Sequence, residues 1–198
     1  TIYNYYHNNI YYRMRTDKEM EWKTLETKYI FKRKWLTAKV EKVQLPDGCV
    51  NDEYYTLEYP DWINIIAITK DDKIIMERQW RQALKVVSTE IPAGVIEDGE
   101  DPLVAAKREL QEETGFGGGK WTDFMVLSPN PSSMNNRCYT FLAEGVEKIS
   151  DTHLDATEDL DKFLCTKDEV YEMLCSGKIC QALMTAPLWK YFATDKMV

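Results

Sequence analysis

Three glutamates in one short acidic stretch are spaced so that they could hold a cation together. The stretch spans residues 94–116 and reads GVIEDGEDPLVAAKRELQEETGF. In a helix, Glu109, Glu112 and Glu113 stand at positions i, i+3 and i+4, so their side chains leave the same face. Mg²⁺ prefers oxygen ligands and commonly bridges protein carboxylates to substrate phosphates. The spacing indicates a divalent-cation site, although a solvated acidic helix face remains the alternative for RELQEE alone.

The residues that flank these glutamates indicate where the helix that carries them begins and ends. Asp101 can cap the helix, and Pro102 suits the first helical position. Gly115 ends the helix after Thr114. Arg108 lies four residues before Glu112, so it can orient a carboxylate without supplying a metal ligand.

The rest of the chain predicts further strands and helices around this helix. Residues 23–59 alternate polar and apolar side chains, which indicates two or three antiparallel strands. Two apolar runs around residues 70–73 predict a hairpin of central strands. The later elements are strands near 121–128 and 137–144, a helix near 167–176 with a capping box, and a last helix over 179–195 that is interrupted or bent near Pro187. The fold class is therefore α/β (α+β).

Length and composition favour one large domain. The chain has 198 residues, of which 44% are hydrophobic, and this is ample for one packed core. We assign residues 1–22 to an N-terminal arm or extension and residues 23–198 to a single domain. Within that domain, residues 23–59 form the N-terminal strand region and residues 60–198 form the core.

Charge and cysteine content exclude several classes of function. The formal net charge of −8 argues against binding to nucleic acid or to an anionic membrane. No apolar run approaches the ~18 residues of a membrane span, and no stretch resembles a signal peptide. The five cysteines include no CxxC pair, which indicates reduced thiols in a cytoplasmic protein.

The acidic stretch fits the pattern G-x5-E-x7-R-E-U-x-E-E-x-G-U, where U is a bulky apolar residue. This pattern resembles the Nudix box, and the resemblance implies a Nudix fold with a mixed sheet sandwiched between helices. It also implies hydrolysis of a nucleoside diphosphate derivative that depends on Mg²⁺ or Mn²⁺. The catalytic and structural residues implied by the resemblance are Glu109, Glu112 and Glu113 as metal ligands, the carbonyl of Ala93 as a further ligand, Glu100 and Arg108 as the residues that join loop to helix, and Gly94 and Gly115 as the glycines of the motif.

Outside the box, the segment MERQWRQALKVVSTEIPAG resembles ADP-ribose pyrophosphatases and related sugar-nucleotide hydrolases. The resemblance implies that Arg81 contacts substrate phosphate or ribose and that Glu90 lies near the terminal ribose. A salt-bridge role is the alternative for each of the two residues. The extra N-terminal strand region is typical of this branch, where it exchanges across a homodimer, so we expect a homodimer here.

One loop departs from the pattern of the branch. Asn135, Asn136 and Arg137 stand where some sugar-nucleotide hydrolases have an acidic residue. Amides and a cation suit substrate phosphate or sugar hydroxyls, so we assign Asn136 and Arg137 to substrate binding. The general base is then unplaced, and Glu158 is the first candidate by rough alignment. Asp159, Asp161 or a glutamate of the box are the alternatives.

The predicted activity is metal-dependent cleavage of a nucleotide sugar, with ADP-ribose foremost, to a nucleoside monophosphate and a sugar phosphate. A pyrophosphatase that removes damaged nucleoside triphosphates is the first alternative. A Nudix domain that senses ADP-ribose without cleaving it is the second alternative. The complete box favours an enzyme over a sensor.

Overall fold

The computed structural model describes residues 6–7, 10–11, 13–154 and 156–195, and the chain divides into two compact units, Thr1–Tyr59 and Pro60–Val198. The predicted arm over residues 1–22 lies partly outside the described residues. Its assignment as an arm and the assignment of residues 23–198 to one domain stay predictions.

The first unit is built mainly from antiparallel strands. Strands β1 (Tyr6–His7) and β2 (Ile10–Tyr11) pair with each other, and the short helix α1 (Asp17–Met20) follows them. A three-stranded antiparallel sheet has the order β3-β4-β5, with bounds Lys23–Lys32, Thr37–Gln44 and Val50–Glu58. This sheet confirms the strands predicted from the alternating pattern, and every residue of β3 is exposed.

The described residues of the second unit form an eight-stranded mixed sheet and three helices. Its strands are β6 (Trp62–Thr69), β7 (Ile74–Arg81), β8 (Val86–Glu90), β9 (Ala93–Val95), β10 (Phe116–Gly117), β11 (Lys120–Leu127), β12 (Cys138–Lys148) and β13 (Leu160–Cys165). Its helices are α2 (Pro102–Thr114), α3 (Lys167–Cys175) and α4 (Ala182–Asp195). Strands β6 and β12 run parallel, and the other strand pairs are antiparallel.

The predicted central hairpin is present, but its two strands separate early. Strands β6 and β7 are paired at Ile68 and Ile74 beside the turn. Beyond that point β8 pairs with β7, and β9 pairs with β6. The segment that leads into the acidic stretch is therefore inserted between the two central strands.

Helices cover both faces of this sheet, as the resemblance implies. On one face, Ala105, Ala106 and Leu110 of α2 pack against apolar side chains that include Ile63 and Ile75. On the opposite face, α3 and α4 pack against side chains that include Ile66 and Met76. Successive strand residues point to opposite faces, so the long apolar run of β6 serves both cores.

The last helix is not interrupted at Pro187, so the predicted interruption is wrong, whereas the bend, its alternative, stays a prediction. Helix α4 continues through the proline from Ala182 to Asp195. A proline inside a helix leaves the carbonyl four residues earlier without its usual N–H partner. That carbonyl belongs to Leu183, and the buried Asn64 side chain donates a hydrogen bond of 2.6 Å to it. The amide of Asn64 thus replaces the missing helical bond.

No helix in the described part of the chain is both long enough and apolar enough to cross a membrane.

Candidate active site

The helix that carries the acidic stretch begins and ends where the sequence predicts. The Asp101 side chain accepts hydrogen bonds from the backbone N–H groups of Leu103 and Val104, at 2.9 and 3.3 Å. Gly115 ends the helix with a φ of 77°. A Cβ at Gly115 would lie 2.4 Å from the Ser150 carbonyl oxygen, so both conformation and space favour glycine there.

Arg108 lies at the centre of the acidic stretch and binds three of its glutamates. Its guanidinium donates to Glu100 at 3.0 and 2.9 Å, to Glu109 at 2.8 Å and to Glu112 at 3.1 Å. It also donates to the carbonyl of Val95 at 3.2 Å. These bonds, with that to Glu100 first, raise the pKa of Arg108, and Arg108 in turn lowers the pKa of Glu100. Arg108 and Glu100 thus join the loop to the helix.

The carboxyl group of Glu109 lies against the backbone of Gly94. A Cβ at residue 94 would stand 2.1 Å from Cδ of Glu109, closer than atoms can approach. Glu109 is buried, and its burial raises its pKa despite the opposing effect of Arg108. A glycine at residue 94 therefore makes room for a buried carboxylate.

Glu113 lies deeper than Glu112 and contacts the segment at Ala93. The Ala93 N–H donates to Glu113 at 3.3 Å, and 4% of Glu113 is exposed. Burial is the main cause of the raised pKa of Glu113, followed by the charges of Glu77, Glu109 and Glu158. The structure thus places Ala93 beside Glu113 through its amide, while a role for its carbonyl stays a prediction.

A fourth buried glutamate, Glu77, was not among the residues predicted from the sequence. Glu77 lies on β7 and is 0% exposed, and neither of its carboxylate oxygens has a hydrogen-bond partner. Burial and then the charge of Glu90 raise its pKa to about 8, with smaller contributions from Glu109 and Glu158. The sequence feature that could have identified Glu77 is its place as a charged residue directly after the apolar run Ile74–Met76.

The carboxylate oxygens of these glutamates suit a hard divalent cation, but they are not grouped around a common position. Among the described residues, no three His, Cys, Asp or Glu side chains are arranged to hold a metal ion together. Arg108 is bound to two of the box glutamates, Glu109 and Glu112. The oxygens of Glu77 have no partner, and the buried carboxylates repel one another, so a cation bound between them would stabilise the site.

Arg81 and Glu90 form an ion pair on neighbouring strands. The Arg81 guanidinium donates to the two oxygens of Glu90 at 2.8 and 2.5 Å, and this bond is the main cause of its raised pKa. The Glu90 side chain is 1% exposed, whereas that of Arg81 is 41% exposed. The salt-bridge role that the sequence left open for Arg81 and Glu90 is therefore present in the structure. The Arg81 side chain is nevertheless partly exposed to solvent.

Asn136 and Arg137 lie at the start of β12, beside the start of β6. The buried Asn136 donates to the Pro60 carbonyl at 3.0 Å, and its own oxygen has no partner. The backbone N–H of Arg137 donates to Asp61 at 2.7 Å, and Arg137 is exposed. In the described part of the chain, no hydrogen bond or ion pair joins Arg137 to Arg81 or to the box glutamates.

Glu158 lies in the loop before β13 and is exposed. Its negative charge contributes to the raised pKa values of Glu77, Glu109 and Glu113. The structure therefore brings Glu158 within electrostatic reach of the buried carboxylates.

Comparison with protein families identifies the class to which this fold and site belong. A model described as "NUDIX domain" matches residues 59–179, and one described as "Nucleoside diphosphate sugar hydrolase N-terminal domain" matches residues 22–57. The chain belongs to the Nudix family.

Three individual proteins are similar to this chain over most of its length. An ADP-ribose pyrophosphatase of Bacillus subtilis (strain 168) is 32% identical over 83% of this chain and 89% of its own length. A methanol dehydrogenase activator of Bacillus methanolicus is 33% identical over 82% of this chain and 88% of its own. A solved structure, "Crystal structure of ADP compounds hydrolase", has a TM-score of 0.77 at 21% identity, with 90% of this chain and 97% of that chain covered. At this identity the solved structure supports the fold.

Proposed function

We propose that this protein is a Nudix pyrophosphatase that hydrolyses the pyrophosphate bond of an ADP-sugar, with ADP-ribose as the leading substrate. The observation that carries the proposal is the complete acidic box, in which Arg108 joins the loop to a helix bearing three glutamates on one face. The relatives named as an ADP-ribose pyrophosphatase and, in Mus musculus, as an ADP-sugar pyrophosphatase support the substrate class; the latter is 51% identical over 36% of this chain and 34% of its own length.

Glu109, Glu112 and Glu113 are the residues that we expect to hold Mg²⁺ or Mn²⁺, together with the backbone at Ala93. The chemistry that a divalent cation would supply there is neutralisation of phosphate oxygens and assistance to the attack of water on phosphorus. Arg108 makes two bonds to Glu100 besides its bonds to Glu109 and Glu112, so a turn of Glu109 and Glu112 towards a cation would leave the loop joined to the helix.

The substrate is bound by cations and amides outside the box. Arg81 is fixed by Glu90 on one side, so the bond to Glu90 orients its exposed side for a phosphate or ribose oxygen. Asn136 and Arg137 supply an amide and a second cation at the start of β12. The assignments of Arg81 and Arg137 rest on residue type and exposure, and that of Arg81 also on the resemblance of its segment to sugar-nucleotide hydrolases. Asn136 is buried, and its assignment rests on residue type and on its unpartnered amide oxygen.

Glu158 is the group that we assign as general base. Water attacks one phosphorus, its proton passes to the base, and the bond from that phosphorus to the bridging oxygen breaks. The products are AMP and ribose 5-phosphate when ADP-ribose is the substrate. Support for Glu158 comes from its exposure and its electrostatic reach to Glu109 and Glu113.

The protein is proposed to act as a cytoplasmic homodimer. The five cysteines are free thiols, as a reducing compartment favours. The exposed strand β3 carries large apolar side chains, among them Leu25, Ile30 and Phe31, with exposures of 43%, 53% and 40%. Solvent-exposed apolar groups at this density mark an interaction surface, and a second copy of the chain is its proposed occupant.

A product-resolved substrate panel tests the proposed function. Purified protein is incubated with ADP-sugars, other nucleotide sugars and nucleoside triphosphates, with Mg²⁺ and separately with Mn²⁺. An ADP-sugar pyrophosphatase releases AMP and a sugar phosphate. Preferential release of pyrophosphate from triphosphates would establish the first alternative, and binding of ADP-ribose without cleavage under both metals would establish the sensor.

A further inference from the structure

The position of Glu77 in the sheet places it between two charged neighbours. Across β8 its partner is Glu90, and across β13 its partner is Lys162. Directly opposed residues of neighbouring strands project from the same face of a sheet. Glu77 is two residues after Ile75, which packs against α2, so these side chains lie on the face that carries the box helix.

Two cations on this face, Lys162 and Arg81, are bound to other groups. Lys162 donates to the carbonyl of Thr114 at 3.0 Å, and Arg81 is bound to Glu90. Both oxygens of Glu77 are left without a hydrogen-bond partner, although the residue is 0% exposed. A buried carboxylate in this state is strongly unfavourable unless a positive charge or a proton compensates it.

The place where a further positive charge would stabilise Glu77 coincides with the proposed metal site. Burial and the negative charges of Glu90, Glu109 and Glu158 raise the pKa of Glu77 against the opposing charge of Arg81, and Glu77 in turn raises the pKa of Glu113. Glu109 and Glu113 belong to helix α2, whereas Glu77 belongs to strand β7 of the sheet. A cation between helix and sheet would therefore meet carboxylates from both sides.

We propose that Glu77 is a fourth carboxylate of this metal site, a positioning residue on β7 that strengthens the binding of a divalent cation by Glu109 and Glu113. The inference rests on the proposed function for the box glutamates and adds a residue that lies outside the box. Its contribution is to cation affinity.

Substitution of Glu77 by Gln tests this role because the amide keeps the shape of the side chain and removes its charge. Mn²⁺ binding to EDTA-treated, dialysed full-length protein is measured by calorimetry and by electron paramagnetic resonance. Glu77→Gln is expected to weaken the Mn²⁺ affinity by about 10-fold or more, in the range seen for groups that support metal ligands. Its melting temperature in EDTA is expected to be no lower than that of wild type, since no interaction is lost.

The matched control is Glu172→Gln, which removes the same charge from an exposed position on α3. Its Mn²⁺ affinity is expected to lie within about twofold of wild type. Wild-type Mn²⁺ affinity in Glu77→Gln, or failure of that variant to fold, would overturn the role of Glu77 alone. A wild-type protein that binds no Mn²⁺ would overturn the metal site of the proposed function, and the role of Glu77 with it.

Discussion

Gly94 and the Glu109 carboxyl group are in such close contact that no side chain fits between them. A Cβ at residue 94 would lie 2.1 Å from Cδ of Glu109 and 2.3 Å from Oε1. The loop before the helix thus fixes where a buried glutamate of the helix can stand. The position of a proposed metal ligand is set by the absence of a side chain 15 residues earlier in the sequence.

Gly94→Ala is the first test of this contact. The methyl group must displace the Glu109 carboxyl, and misplacement of a catalytic group by about 1 Å can cost roughly 10²-fold. We expect kcat/KM to fall by about that factor. The control is Gly99→Ala, which strains a left-handed residue of the same loop (φ 79°) but meets no neighbouring atom within 4 Å. Equal losses in the two variants would show that loop strain, and not the position of Glu109, limits activity.

The two arginines assigned to the substrate should differ in their effect on stability. Loss of one charge-assisted hydrogen bond costs about 1.5–3 kcal/mol, or roughly 10- to 150-fold in kcat/KM. Arg137→Ala should show this loss with little change in melting temperature, because Arg137 is exposed. Arg81→Ala should also lower the melting temperature, because it leaves the buried Glu90 without its cation.

Lysine variants separate charge from geometry at the same two positions. Arg81→Lys and Arg137→Lys should recover part of the activity, because lysine keeps the charge but lacks the planar fork. Steady-state kinetics on the best substrate gives the comparison. Wild-type kcat/KM in both alanine variants would place the substrate pocket elsewhere.

The metal-free protein should lose stability as the pH rises. Burial and the neighbouring Glu90 raise the pKa of Glu77 from 4.5 to about 8, so between these values the folded state binds more protons than the unfolded state. The free energy of unfolding therefore decreases with rising pH in this window, by at most about 1.4 kcal/mol per pH unit for one group. Glu113 shifts in the same direction. Urea denaturation in EDTA at several pH values between 5 and 8 measures the slope. Glu77→Gln should reduce it, and an unchanged slope would show that Glu77 is not the proton acceptor.

The proposed dimer interface can be tested on strand β3. We expect wild-type protein to sediment as a dimer at micromolar concentration and Ile30→Glu, which places a charge among exposed apolar side chains, to shift it towards monomer. Thr24→Glu, on the same exposed strand and with the same change of one charge, is the control for charge alone. A wild-type monomer would contradict the dimer.

Much of the fold could be predicted because its signals are local. Asp101, Pro102 and Gly115 define the box helix through capping and backbone conformation, which depend on few neighbours. Thr166 and Glu169 form the capping box predicted for α3, with mutual hydrogen bonds. The turn between β6 and β7 likewise depends on a short polar segment between two apolar runs.

The errors and omissions concern contacts between distant parts of the sequence. Pro187 predicts an interruption or a bend in the last helix, and α4 continues through the proline with the Asn64 side chain bound to the Leu183 carbonyl, 119 residues away in the sequence. Glu77 joins the acidic cluster only through the pairing of β7 with β8 and β13. Strand register of this kind is set by tertiary packing and is not encoded by spacing within one segment.

The proposed hydrolysis is tested most directly by the fate of ADP-ribose under Mg²⁺ with wild-type protein and with Glu113→Gln, followed by ion-pair chromatography and mass spectrometry. We expect wild type to release AMP and ribose 5-phosphate in equal amounts. Glu113→Gln, with melting temperature retained, should lower turnover by roughly 10²-fold or more, because it removes charge from the group that stabilises the transition state. Intact ADP-ribose with wild-type protein, or full turnover by Glu113→Gln at saturating Mg²⁺, would contradict the proposed function.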